Sequence, residues 1–237
     1  PVYVVEDPSL PLVDLQVIIR VGAYLVPVGK EGVAEAVGSQ IRAAGVEDRS
    51  PEAFDEEVAF LAADMSTSIG NTQGSAGFNC LTKDLEQVME LFFHMLRKPA
   101  FDQKRLEIYR SQVLQNLARR NDSTDSIESR EWQRLLRGPE HFTNDKVTKT
   151  VVEGITREDL TAFHRKHFHP GNFIISVSGD VKREHVLALL EKHLAGWKSQ
   201  GGEPAKIPAP GAPASPGVYM IDKPDVNQGR VGIGHIG

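Results

Sequence analysis

The stretch "VDLQVIIRVGAYLVPVGKEGVAEAVGSQIRAAG", Val13 to Gly45, changes its hydrophobic period half-way along. Its first part alternates Val13, Leu15, Val17, Ile19 and Val21 with polar or smaller residues. A period of two with one apolar side is a half-buried strand. After a glycine-containing turn the period changes. Val33, Val37 and Ile41 recur every four residues, which is one face of a helix over Lys30–Ala44. Gly45 stands where a C-terminal glycine would close it. The other helix positions are small or polar: Ala34, Glu35, Ala36, Gly38 and Ser39. A mid-helix glycine costs roughly 1 kcal/mol against alanine. Gly38 therefore requires a reason: a close backbone approach, or the loss of bulkier functional residues.

Outward from this strand and helix, the pattern continues. Pro1–Val5 is β-rich and "EDPSLP" is a turn. Ser50, Pro51 and the acids after them start a second helix. "DMSTSIG" and "GSAGFNCLT" read as two strands paired around "NTQG". Four helical stretches follow: "KDLEQVMELFFHMLRKP", "FDQKRLEIYRSQVLQNLARRND", "SIESREWQRLLRG" and "TREDLTAFHRKHF". "NFIISVSGD" is a buried strand and "KREHVLALLEKHLAGW" the last helix. This order is not a doubly wound βαβ series. It predicts an α+β fold, a mainly antiparallel sheet with helices on one face.

The module runs over 1–197. Five of the 14 prolines fall in 198–217, a Pro/Gly/Ala-rich linker in extended form. "VYMID" and "GRVGIGHIG" in 218–237 look like the first strands of a second, truncated module. The chain begins and ends inside strand-like runs, as a fragment of a longer polypeptide would. A signal peptide or anchor would lie upstream. The compartment stays open between bacterial periplasm or cell envelope, cytoplasm and mitochondrial matrix.

A chain of 237 residues with 40% hydrophobic and 25% charged residues has globular composition. The net charge of -5 and the scattered basic residues argue against a nucleic-acid partner. No apolar run reaches the roughly 18 residues of a membrane span. One cysteine, Cys80, excludes an internal disulfide, and its surroundings suit a small buried apolar residue rather than a nucleophile. His164, His167 and His169 in "FHRKHFHP" form the most metal-like string, but Arg165 and Lys166 disfavour a cation there, and His169 lies past the helix end. His94 sits on a strongly apolar helix and suits a core or half-buried position. On residue chemistry alone, no active site assembles.

The order of segments nonetheless resembles one family. "VVEDPSLPLVDLQVIIRVGA", "GKEGVAEAVGSQIRAAG", "DEEVAFLAADMSTSI", "LEQVMELFFHMLRKPAFD", "RGPEHF", "ITREDLTAFHRKHFHPGNFIISVSGDV" and "LLEKHLAGW" look like the N-terminal module of the insulinase/pitrilysin zinc peptidases. The resemblance implies a metalloenzyme module of LuxS/pitrilysin type. In that family an active module carries His-x-x-Glu-His on its first helix, and a later helix adds a glutamate. The two histidines and that glutamate hold zinc, and the middle Glu polarises water. Carried onto this chain, the ligand positions are Glu35, Ser39 and Asn116, and the base position is Gly38.

The resemblance thus implies a module without zinc or catalytic base, inactive on its own, with zinc only in an active partner. It implies the non-catalytic half of a peptide-degrading or processing metalloendopeptidase, paired as a dimer with a zinc-bearing homologous subunit or module. The alternative is a structural or peptide-binding protein with no protease partner. Peptide would add as a strand at "MSTSIG", through Ser66, Thr67, Ser68 and Ile69. On this basis Glu35→His, Gly38→Glu, Ser39→His and Asn116→Glu together should create zinc affinity.

Overall fold

The structure, a computed structural model, describes residues 1–144, 146–198, 205–227 and 229–234. Five strands form one sheet: β1 (Val2–Glu6), β2 (Leu12–Ile19), β3 (Asp64–Ile69), β4 (Gly74–Leu81) and β5 (Phe173–Gly179). Their order across the sheet is β1-β5-β2-β4-β3. All pairs are antiparallel except β1 with β5. Eight helices accompany them: α1 (Val33–Ala43), α2 (Pro51–Phe60), α3 (Leu85–Arg97), α4 (Gln103–Arg119), α5 (Thr124–Arg137), α6 (Lys149–Glu153), α7 (Arg157–His167) and α8 (Arg183–Leu194).

The alternation in β2 does what its period predicts. Val13, Leu15, Val17 and Ile19 are at most 1% exposed, while Leu12 and Ile18 on the other side are 37% and 42% exposed. A strand's side chains point to opposite faces, so one face of the sheet carries the core. The opposite face remains open. Register places Tyr3, Ser176, Gln16, Gly77 and Ser66 in one row across all five strands of that open face. Against the buried face packs an apolar layer centred on Phe54, Phe78, Phe92 and Leu96. Phe78 and Phe92 meet edge to face at 5.2 Å.

Helix ends follow their chemistry. The Ser50 side chain accepts from Ala53 N, with Pro51 opening α2. Thr156 and Asp159 form a reciprocal capping box at α7. Gly45, just past α1, has φ +70, the left-handed conformation expected of it. The short α6 has no counterpart in the sequence pattern, because five residues are too few to show a period.

The tail departs from expectation. No strand forms among the described residues of 218–234. Segment 205–214 runs without helix or strand, and residues 199–204 of the expected linker lie outside the described residues.

Candidate functional site

The candidate site lies where α1 crosses β3, the last strand of the sheet. Strand β3 pairs only with β4. Gly70 N–H donates to Gln73 O at 2.9 Å across the hairpin end. From that pair, alternation turns the main-chain groups of Ser68, Ser66 and Asp64 toward β4, and those of Met65, Thr67 and Ile69 outward.

Helix α1 meets this strand at Gly38. A Cβ at Gly38 would lie 2.3 Å from Ile69 N, 2.8 Å from Ser68 C and 3.0 Å from Ser68 Cα. The neighbours are backbone, which cannot swing away. The glycine is therefore required by close approach. Two contacts tie the pair: Thr67 Oγ1 donates to Gly38 O at 2.6 Å, and Arg42 Nε donates to Met65 O at 3.2 Å. Arg42 also bonds Asp55 and lies over the Phe54 ring.

Glu35 is half-buried one turn before Ser39, and its Oε2 is sealed from solvent with no hydrogen-bond partner. Burial holds its carboxyl above the usual range. Tyr109 on α4 is close enough to feel Glu35. Its phenol is pushed up to about 12, first by burial and then by the Glu35 charge. Asn116, two turns further along α4, is exposed. So of the four motif positions, Glu35, Gly38 and Ser39 share α1, and Asn116 stands on a solvent-facing part of α4.

These residues do not fit zinc. The set offers one carboxylate, a serine and an amide, where zinc takes imidazole, thiolate and carboxylate. Among the described residues no group of three or more His, Cys, Asp or Glu is placed to hold a metal. The four-residue restoration also fails on geometry, because Gly38→Glu would drive its Cβ into the β3 backbone.

The peptide expectation over Ser66–Ile69 needs correction in detail. Ser66 and Ser68 turn their main chain to β4, and their side chains are exposed. Only Met65, Thr67 and Ile69 present an edge, and α1 takes part of it through Arg42 and Gly38. The sequence period located the strand; its inward and outward residues needed the hairpin register.

The histidine string is structural. His164 Nε2 bonds Leu96 O at 2.8 Å, and its ring stacks on Phe168. Burial lowers His164 and His167 to about 4. The His167 ring lies against Phe163. His94, on the sheltered side of α3, bonds Asp48 Oδ1 at 2.9 Å. Cys80 is 1% exposed, with its thiol pushed up to about 12 chiefly by burial, as suits an inert core residue. A cleft of about 480 Å³ lies elsewhere, between the starts of α3 and α8. In its lining Lys83 pairs with Asp84 and Lys182 with Glu6, and His185 Nε2 lies 3.5 Å from Glu86 Oε1.

The profile described as the Peptidase M16 inactive domain matches residues 154–237. A crystal structure of a peptidase M16 inactive domain from Pseudomonas fluorescens superposes with a TM-score of 0.80, at 25% identity, over 90% of this chain and 52% of that one. The C-terminal part of the chain is thus similar to the M16 inactive domain, and its fold is similar to that of an M16 structure. Two curated relatives of this chain are subunit 1 of the mouse mitochondrial cytochrome b-c1 complex and a probable mitochondrial-processing peptidase subunit beta of Arabidopsis thaliana. The first is 23% identical over 160 residues, 64% of this chain and 32% of that protein. The second is 22% identical over 154 residues, 62% of this chain and 28% of that protein. The chain thus spans about a third of the curated relatives it matches. The matched profile covers α7, β5, α8 and the tail, not α1.

No helix among the described residues is long and apolar enough to cross a membrane.

Proposed function

We propose that this module is the non-catalytic half of a metalloendopeptidase assembly. It closes and lines a peptide chamber whose zinc is held by a homologous subunit or module. The observation that carries this is the contact of Gly38 with the Ser68–Ile69 peptide. It fills the place where a catalytic base would have to project, and it leaves Glu35 as the one carboxylate of the site. Peptide contact in this reading is confined to the outward groups of Thr67, between the Arg42 and Gly38 contacts.

Metal content and turnover test it. The purified chain is incubated with zinc, dialysed and analysed for metal, then assayed on unstructured peptides alone and with a zinc-bearing homologue from the same source. The expected result is no stoichiometric zinc, no turnover alone, and altered turnover in the mixture. One tightly held zinc per chain, or turnover by the chain alone, overturns the proposal.

A second reading is a structural or peptide-binding protein without a protease partner. The similarity to a cytochrome b-c1 complex subunit favours it. It predicts a stable complex whose turnover is unchanged by this chain.

A further inference from the structure

Helix α5 is an anomaly in this module. It has 14 residues and none of them is buried. A helix of that length is marginal in water without tertiary support. Yet Ile127, Trp132 and Leu135 are each half-covered. Part of what meets this helix is the chain that follows the module.

At the C-terminal end of α5, Gly211 N–H donates to Arg137 O at 2.9 Å and Ala214 N–H donates to Leu135 O at 2.7 Å. The last carbonyls of a helix lack partners within it, and here the linker supplies two donors. Gly138 ends the helix with φ +81, and a Cβ there would come within 3.1 Å of Ala212 O. That glycine therefore both stops α5 and lets the linker pass. Upstream, the Tyr24 hydroxyl donates to Ala205 O at 3.3 Å, while the Tyr24 ring stands edge-on to Phe142.

Nearer the start of α5, Arg230 bonds Glu128 at 2.7 Å and also pairs with Asp125. Beyond it the chain crosses Trp132. A Cβ at Gly232 would lie 2.5 Å from Glu128 Oε1 and 2.6 Å from Trp132 Nε1, and one at Gly234 would lie 3.5 Å from the indole ring. Val231 and Ile233 point away and are 87% and 95% exposed. The glycine alternation in "GRVGIG" is the alternation that lets a backbone lie flat on an indole.

We propose that Ala205–Ala214 and Arg230–Gly234 form a strap seated on α5, and that α5 keeps its helix only while the strap is seated. The Pro/Ala-rich linker is then not a free tether. It joins the order of a helical arm of the module to the position of the chain beyond it.

Hydrogen exchange on the whole chain tests this. Gly211→Pro with Ala214→Pro removes both N–H donors. Neither residue has a positive φ, and extended Pro-rich backbone accepts proline. Arg230→Glu breaks the ion pairs independently. Each variant should raise exchange across α5 at least about tenfold, the scale of one or two lost hydrogen bonds. Trypsin should then cut after Arg130, Arg134 or Arg137, while β2, β4 and β5 stay protected. Adding Glu128→Arg to Arg230→Glu should recover part of the protection. Unchanged α5 protection in both variants overturns the proposal. Loss of protection throughout the sheet also overturns it, because the strap would then support the whole fold rather than α5.

Discussion

The Thr67 hydroxyl donates to the Gly38 carbonyl at 2.6 Å, and this bond joins the first helix to the last strand of the sheet. Gly38 O also lies within the helical ladder, so Thr67 adds to an existing arrangement. Thr67→Val keeps the shape and should cost about 1 kcal/mol in urea unfolding, the usual net worth of one such bond. No loss of stability would show that the Gly38 contact is held by packing alone.

Gly38 itself tolerates no side chain. Gly38→Ala should destabilise by about 1–3 kcal/mol, the range for overpacking, despite alanine's better helix propensity. Gly38→Glu should be worse, and the fourfold restoration of the zinc motif should lose stability without taking up metal. Chemical denaturation and metal analysis of the two variants check this. A stabilised Gly38→Ala would place α1 further from β3 than described.

Glu35 sets a pH dependence. Burial raises its folded-state pKa above the ordinary 4.5, so the native state binds this proton more tightly than the unfolded chain does. Its contribution is present below the unfolded pKa and is lost as pH rises through the folded one. Glu35→Gln should therefore raise Tm at pH 7 and flatten the pH dependence above pH 4.5. Equal Tm at pH 7 for the variant and the parent would mean that Glu35 is solvated.

His164 acts in the opposite direction on acidification. Its folded pKa near 4 lies below the ordinary 6.5, so protons bind preferentially to the unfolded chain between those values. Stability should fall as pH drops from about 6.5 to 4, with His167 adding to the trend. His164→Leu should remove part of that slope. It should also cost roughly 1–3 kcal/mol at pH 7, because Leu96 O loses its donor in a buried place. Urea unfolding at pH 7 and pH 5 separates the two effects.

Cys80 should not react with a thiol reagent at pH 8 in the native chain and should react fully in denaturant. Rapid native labelling would show that β4 opens locally.

Periodicity in Val13–Ile19 and Val33–Ile41 made the first strand and helix legible, and the capping residues Ser50 and Thr156 marked helix starts. These signals are local, because each depends on neighbours within a few residues. The assignment of Glu35, Gly38 and Ser39 to motif positions rests on the resemblance of the segments that surround them.

Long-range contacts lay outside what these local patterns carry. The glycine at position 38 could be read as a missing base or as a close approach, and only the β3 backbone 2.3 Å from its would-be Cβ shows that it is a close approach. Which residues of β3 face outward depended on the Gly70–Gln73 pairing, since a one-residue slip exchanges every inward and outward group. Local periods and capping residues carry the strands and helices of this chain. The packing of α1 on β3, and of the tail on α5, came from contacts between residues far apart in the chain, which no local period encodes.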